Sequence, residues 1–467
     1  MAKKKKKKSQ ALTMLVLFLV IIALVVVYFV AKNISKDLNQ ETVKKGNVKL
    51  VQVDTSKAKT LKYTIGGKEY TLIKEAGTWK LESEKERPLD QAKAQDMVDR
   101  FSEMVAEYEV FENQDNLAEL GLNHPALTVN LTMEDGATYS YSTGEVLLTS
   151  AGGCNAIVSG YPGIYNLPEG YYTLFAGELN DLTQIPSITD VNSQKITKIK
   201  VINDSKVLVD LTKNVASKEW TIGKPYDPSV KIDSSNVSNL TSNYVTYKFL
   251  KNIEYNCTDF SKYGLQDPSS EVYVEYYTEN ADSGEKTEHS IKLSMGKTSE
   301  DGSIYYVRLN DSNSVYTMGS DVIYTLMNVD AFDYVDSSLF SMDISELSKA
   351  SFVVNGKTYD LQIEKKATTG DASGDTYKLN GVLKEASAIG VLYGKVGLIE
   401  IEQEKQKDVD TQNPICSISV TDTKNKELKY SFYKYDNNYY AIEHEGQIYF
   451  LADKEKVNNA IKALEEL

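Results

Sequence analysis

Three histidines, His124, His289 and His444, and three cysteines, Cys154, Cys257 and Cys416, are the side chains of this 467-residue chain best suited to bind a metal or attack a substrate. No histidine has another at i+2, i+3 or i+4, so no zinc spacing is present, and all three read as solvated surface groups. No Cys-x-x-Cys occurs and the count is odd, so neither a disulfide framework nor a zinc knuckle is indicated, though one bridge stays open. Cys154 follows a glycine pair in SAGGCNA, but neither a base nor an oxyanion donor can be named beside it. Gly296-Lys297-Thr298 resembles the end of a P-loop; that motif needs glycine at 291, which is Ile291, so the stretch reads as a turn. The 66 acidic residues are too many to single out a glycosidase pair. No calcium loop is present, and DASGDTY at 371–377 reads as a hairpin. The residues thus name no catalytic group, no metal ligand and no cofactor.

Tyrosine is the anomaly, at 32 residues against 12 Phe and 2 Trp. Its apolar ring and wet hydroxyl suit half-buried strands. Clusters occur at Tyr161/Tyr165/Tyr171/Tyr172, Tyr276/Tyr277, Tyr305/Tyr306 and Tyr439/Tyr440. Packing inside each sheet accounts for most of them. Adjacent tyrosines on a strand point to opposite faces, which makes Tyr305, Tyr306, Tyr439 and Tyr440 candidate interface residues for a protein or a sugar.

The elements that would position these groups repeat. LAELGLNHPALTVNL, from residue 117, is echoed by DFSKYGLQDPSSEVYV, from residue 259. The markers are Gly121, Leu122 and Pro125 in the first copy and Gly264, Leu265 and Pro268 in the second. Gly121 and Gly264 lie 143 positions apart, and the two tryptophans, Trp79 and Trp220, lie 141 apart. Two independent markers at one offset imply a structural repeat of about 140 residues, too long for a solenoid unit and long enough for a core of its own. A third copy is divergent. VNGKTYDLQIEKK at 354–366 echoes IGGKEYTLIKEAGTWKL, Tyr377 falls where tryptophan stood, and Pro414 stands in for Pro125, without the Gly-Leu.

Each copy opens with strands joined by turns such as Gly66-Gly67 and Asn355-Gly356. Met97, Val98, Phe101, Met104, Val105 and Tyr108 recur at helical spacing, which predicts one amphipathic helix over 88–108 behind Pro88. Val237, Leu240, Tyr244 and Tyr247 predict its counterpart behind Asp233. The Gly-Leu-x-x-Pro corner then stops the helix, and three strands follow, with Asp135-Gly136 and Gly144 as hairpin turns and a terminal helix from Lys454. Strands, a helix and an antiparallel meander make the predicted class α+β.

The first residues bear on location. Six lysines, Lys3 to Lys8, precede the uncharged run Ala11–Ala31, which as a helix would span about 31 Å at about 1.5 Å per residue. No signal-peptidase site or lipobox follows, so the run reads as an uncleaved anchor with a cytoplasmic N-terminus and everything from Lys32 outside. All 66 acids lie beyond it and the net charge is −14, which opposes binding to nucleic acid. The predicted organisation is a tail (1–10), a transmembrane helix (11–31), a linker (32–47) and three α+β modules at 48–188, 193–338 and 346–467.

The lysine-rich anchor, the Trp-Lys-Leu strand, Gly-Leu-x-x-Pro before a hairpin and the late Tyr-Tyr-Val…Val-Tyr strand pair together resemble a bacterial family known as domain of unknown function 4340. The resemblance covers most of residues 48–335. It implies an exported single-span protein, often paired with ABC-type transport systems of the gliding-motility auxiliary kind, and carries no catalytic residues. The expected function is a membrane-anchored, non-enzymatic binding or scaffold protein whose partners are ABC permease and ATPase subunits or other envelope proteins. A binder of cell-wall glycan through exposed tyrosines and an extracellular hydrolase are the alternatives.

Overall fold

The computed structural model describes residues 44–115, 117–148, 152–366 and 374–467. The lysine-rich tail, the run 11–31 and linker residues 32–43 lie outside the described residues. So do residues 371–373 of the DASGDTY stretch.

Three antiparallel sheets account for most of the chain. The first comprises β1 (Lys44–Lys49), β2 (Ala58–Ile65), β3 (Lys68–Glu75), β4 (Thr78–Leu81), β5 (Val105–Phe111), β6 (Leu127–Met133), β7 (Thr138–Val146), β8 (Cys154–Val158) and β9 (Ile164–Leu167). The second comprises β10 (Ile196–Asn203), β11 (Lys206–Lys213), β12 (Trp220–Lys224), β13 (Phe249–Glu254), β14 (Ser270–Glu279), β15 (Lys286–Thr298), β16 (Ile304–Leu309) and β17 (Val315–Gly319). The third comprises β18 (Leu347–Val354), β19 (Lys357–Glu364), β20 (Thr376–Leu379), β21 (Val382–Lys384), β22 (Ile401–Glu404), β23 (Cys416–Asp422), β24 (Glu427–Lys434), β25 (Tyr439–His444) and β26 (Gln447–Asp453).

One strand order serves all three. The first sheet runs β4-β3-β2-β6-β7-β8-β9-β5-β1, the second β12-β11-β10-β14-β15-β16-β17-β13, and the third β21-β20-β19-β18-β23-β24-β25-β26-β22. In each, a meander of three strands (four in the third sheet, where β21 adds an edge) leads through a helix to a strand at the far side, and a four-stranded meander then returns from the centre. The central pairings correspond: Leu61 faces Leu131, Ile199 faces Val274 and Ala350 faces Val420. All six are buried, so the apolar side of each pleat is fixed at its middle pair.

The predicted class needs correction. The chain is mostly antiparallel sheet, with 44% strand and 19% helix, rather than a balanced α+β protein. Among the described residues no helix is long and apolar enough to cross a membrane. The helices are short for local reasons. In the first module the helix spans only Gln91–Asp99, capped by the Asp90 carboxylate, which accepts from Lys93 N. Residues 105–111, read as its continuation, form β5 between β1 and β9. Val105 and Tyr108 fit helical spacing, but VAEYEVF also alternates, and strands distant in sequence supply the hydrogen bonds that decide the matter. A second helix follows the last long strand of each module, at Gly170–Thr173, Ser320–Met327 and Lys454–Glu465. Only the last of these was legible in the sequence.

Residue contacts divide the chain into two compact units: one ends at Ile185 and includes Lys251–Tyr255, and the other comprises Pro186–Leu250 and Asn256–Leu467. In the second unit the second and third sheets share one continuous core, running from Val191 to Leu464. Tyr226 joins them: its ring meets Phe450 edge-on at 4.8 Å and its hydroxyl donates to Glu404 at 2.6 Å. Tyr449 donates back to Asp227 at 3.3 Å.

Candidate functional site

The repeated corner joins the far strand of each sheet to the central one: it lies between β5 and β6 and again between β13 and β14. In the second module the turn Phe260–Tyr263 is capped by the Asp259 carboxylate and closed by Gly264, whose φ of 70° is left-handed. Leu265 N donates to Phe260 O at 3.0 Å and the Leu265 side chain is fully buried. In the first module Gly121 has φ 71°, Leu122 N donates to Leu117 O at 2.8 Å, and Leu122 is buried. Glycine supplies the left-handed residue that lets the next leucine turn inward. Pro268 is half-buried and Pro125 exposed, both just ahead of the following strand.

Gly144 and Gly296, read from sequence as turn residues, are strand residues. Gly144 lies in β7 at a register shift between Thr143 and Val146, and Gly296 lies in β15 at a shift between Met295 and Thr298. The corner backbone passes over both. A Cβ on Gly144 would come 3.2 Å from Leu120 O, and one on Gly296 would come 2.1 Å from Tyr263 O. A bulge and a glycine therefore make room for the corner. The third module has neither the Gly-Leu nor a glycine in β24.

Beside this corner the second module carries an open groove of about 850 Å³. Met295, Ile323 and Met327 line it with Tyr305 and Tyr324. Tyr324 is 67% exposed. Asp204, Asp267 and Asp321, all exposed, stand at its rim with Lys297. Tyr305 thus faces the groove. Tyr306 turns away and packs its ring on Tyr263 at 5.1 Å. Tyr439 is half-buried, and Tyr440 is buried with its hydroxyl donating to Asn458 of the terminal helix.

The two tryptophans occupy matching positions on β4 and β12, opposite Lys74 and Lys213. Both are buried, and each carries its facing lysine above the ring, at 5.3 Å and 5.6 Å. Tyr377 takes the same place on β20, two residues before the buried Leu379.

The thiols are inert by position. All three cysteines are buried, and Cys154 and Cys416 are free thiols. Burial pushes the Cys154 and Cys416 thiols up to about 12 and so opposes the thiolate a nucleophile needs. His289 and His444 are not simply solvated, as the sequence suggested: His289 stacks on Tyr276 at 5.0 Å and bonds Thr278 Oγ1 at 2.8 Å, and His444 lies on Tyr430 at 4.6 Å with Nδ1 against Lys429 O. His124 is exposed in the first corner. Among the described residues no three His, Cys, Asp or Glu side chains gather in a way that could hold a metal ion.

Comparison with known families reproduces the internal repeat. The profile of a family described as domain of unknown function (DUF4340) matches twice, over residues 79–252 and 220–414, each match beginning at one of the two tryptophans. The chain belongs to the DUF4340 family. No curated protein matches this DUF4340 chain, and no solved structure does. The groove and Tyr324 escaped sequence reading because Tyr324 lies on a helix whose existence the sequence did not announce.

Proposed function

We propose that this DUF4340 protein is a non-enzymatic binding protein on the outer face of a cell membrane, held there by the uncharged run 11–31 and accessory to an ABC-type transport or other envelope complex. The observation that carries the reading is the groove beside the second corner. A large exposed ring, Tyr324, beside a second ring, Tyr305, over an apolar floor is the composition of a protein-recognition hot spot. Three exposed carboxylates at the rim suit a basic face on the partner and speed its approach.

A photo-crosslinking amino acid at position 324 of the full-length chain in native membranes tests this. Adducts with permease subunits or another envelope protein, lost when Asp267 and Asp321 are both changed to Lys, are the expected result. Adducts with glycan alone would favour the glycan-binding reading, and the absence of any protein adduct would overturn the proposal.

A further inference from the structure

The two tryptophan sites are built on one plan and differ at one place. In both modules a short 3-10 turn precedes the first strand of the meander, and the lysine above the ring anchors its amine on that turn: Lys74 on Ser56 O at 3.4 Å and Lys213 on Gln194 O at 3.2 Å. In the first module the helix closes over the tryptophan. Gln91 exchanges two hydrogen bonds with the Trp79 backbone, and Gln95 Oε1 accepts the Trp79 indole N–H at 2.9 Å.

The helix of the second module starts at the equivalent aspartate, Asp233 in place of Asp90. The position of Gln95 then falls on Ser238, whose hydroxyl donates to Ser234 O instead. The long amide is gone. The Trp220 indole N–H has no hydrogen-bond partner among the described residues and stays open to solvent, on a side chain that is otherwise buried. Where Gln95 fills the first module, the second has a hollow of about 490 Å³.

The lining of that hollow is one-sided in charge. Lys195, Lys213 and Lys218 line it together with Trp220, Ser238 and Tyr277, and no carboxylate does. Lys195 also reaches Glu279 at 3.5 Å, outside the lining. This gathering of cations stands out in a chain of net charge −14. Lys218 is exposed and sits on a tight loop in which its backbone N–H donates to Asn214 O and the Asn214 side chain accepts from Ala216 and Ser217. Across Tyr277, which Lys195 and Lys286 flank at 5.7 and 4.6 Å, a second hollow of about 540 Å³ adjoins the first; its lining is mixed in charge, with Glu275 and Glu288 beside Lys286 and His289, so the anionic group is assigned to the first hollow alone. Ammonium groups and an unpaired indole N–H are donors that call for an acceptor bearing negative charge. The joined hollows have room for several sugar rings, and Tyr277 offers a ring between them.

We infer that the second module binds an anionic glycan, seating a phosphate or carboxylate of the chain among Lys195, Lys213, Lys218 and the Trp220 indole N–H. The inference is independent of the groove at Tyr324, which lies on different residues. The first module cannot bind in this way because Gln95 occupies the place.

The chain has two tryptophans, so the full-length protein labelled with 5-fluorotryptophan and solubilised in detergent gives two fluorine resonances, and the Trp220→Phe variant identifies which is which. The probes are a glycerol-phosphate hexamer, a galacturonate hexamer, uncharged maltohexaose and inorganic phosphate. The expected result is that one or both charged hexamers shift the Trp220 resonance and leave that of Trp79 in place; which of them binds tells phosphate from carboxylate. Ser238→Gln, which restores the amide of the first module, and Lys218→Glu should each weaken binding by about tenfold or more while both resonances keep their folded positions. Equal shifts with maltohexaose, binding of inorganic phosphate as tight as that of the hexamers, no response to either charged hexamer, or an undiminished response in Ser238→Gln would each overturn the inference.

Discussion

Gly296 lies so close beneath Tyr263 that a Cβ at that position would sit 2.1 Å from the Tyr263 carbonyl oxygen. The corner and the strand below it are therefore one feature, shared by the first two modules and missing from the third. Gly296→Ala must displace the corner backbone, and a destabilisation of about 1–3 kcal/mol is expected for overpacking of this kind. Gly144→Ala, where the oxygen is 3.2 Å away, should cost less. Urea unfolding monitored for each unit ranks the two variants. Equal costs would show that the close approach is not what selects glycine.

The helix over Trp79 supplies a second test. Removing Gln95 leaves a buried indole N–H without an acceptor, at a cost of about 1–3 kcal/mol. Ser238→Ala, at the equivalent place, deletes only a local bond to Ser234 and should change stability by less than about 0.5 kcal/mol. Chemical denaturation of both variants separates the two sites.

Tyr226 is expected to tie the second and third sheets into one cooperative body. Tyr226→Ala removes a ring packed against Phe450 and Tyr449, and a loss of about 3–5 kcal/mol is expected. Tyr226→Phe keeps the ring and removes only the bond to Glu404, for about 1–2 kcal/mol. Calorimetry should show the two modules melting in one transition in the native chain. Two separate transitions there would contradict the shared core.

Alkali should unfold the protein through its buried thiols among other groups. The folded pKa values of Cys154 and Cys416 are raised from 9.0 to about 12 by burial. Between those values the unfolded chain gives up protons that the folded chain keeps, so stability is retained below pH 9 and falls as pH rises from about 9 to 12. The denaturation midpoint at pH 10.5 should be lower than at pH 8. In the native protein at pH 8, iodoacetamide should leave both thiols unmodified, and both should react once urea is added.

The tryptophan pair, the Gly-Leu-x-x-Pro corners and the Asn355-Gly356 turn were legible in the sequence because each is set by a local backbone or core requirement. What was lost depended on distant partners. Met104, Val105 and Tyr108 satisfy helical and strand patterns alike, and only β1 and β9 make 105–111 a strand. Gly144 and Gly296 looked like turns because nothing local announces a carbonyl passing overhead. Tyr440 belongs to an adjacent pair, and the terminal helix is what buries it. The hollow at Trp220 arises from one side chain, Ser238 in place of Gln95, and becomes visible only when the two copies are laid over each other.

The central claim is that the protein binds a partner on the outer face of a membrane. Affinity purification of the crosslinked full-length chain from gently solubilised native membranes addresses it most directly. The account predicts transporter permease and ATPase subunits in near-equal amounts, reduced by Tyr324→Ala. Glycan alone, or no partner at all, would contradict it.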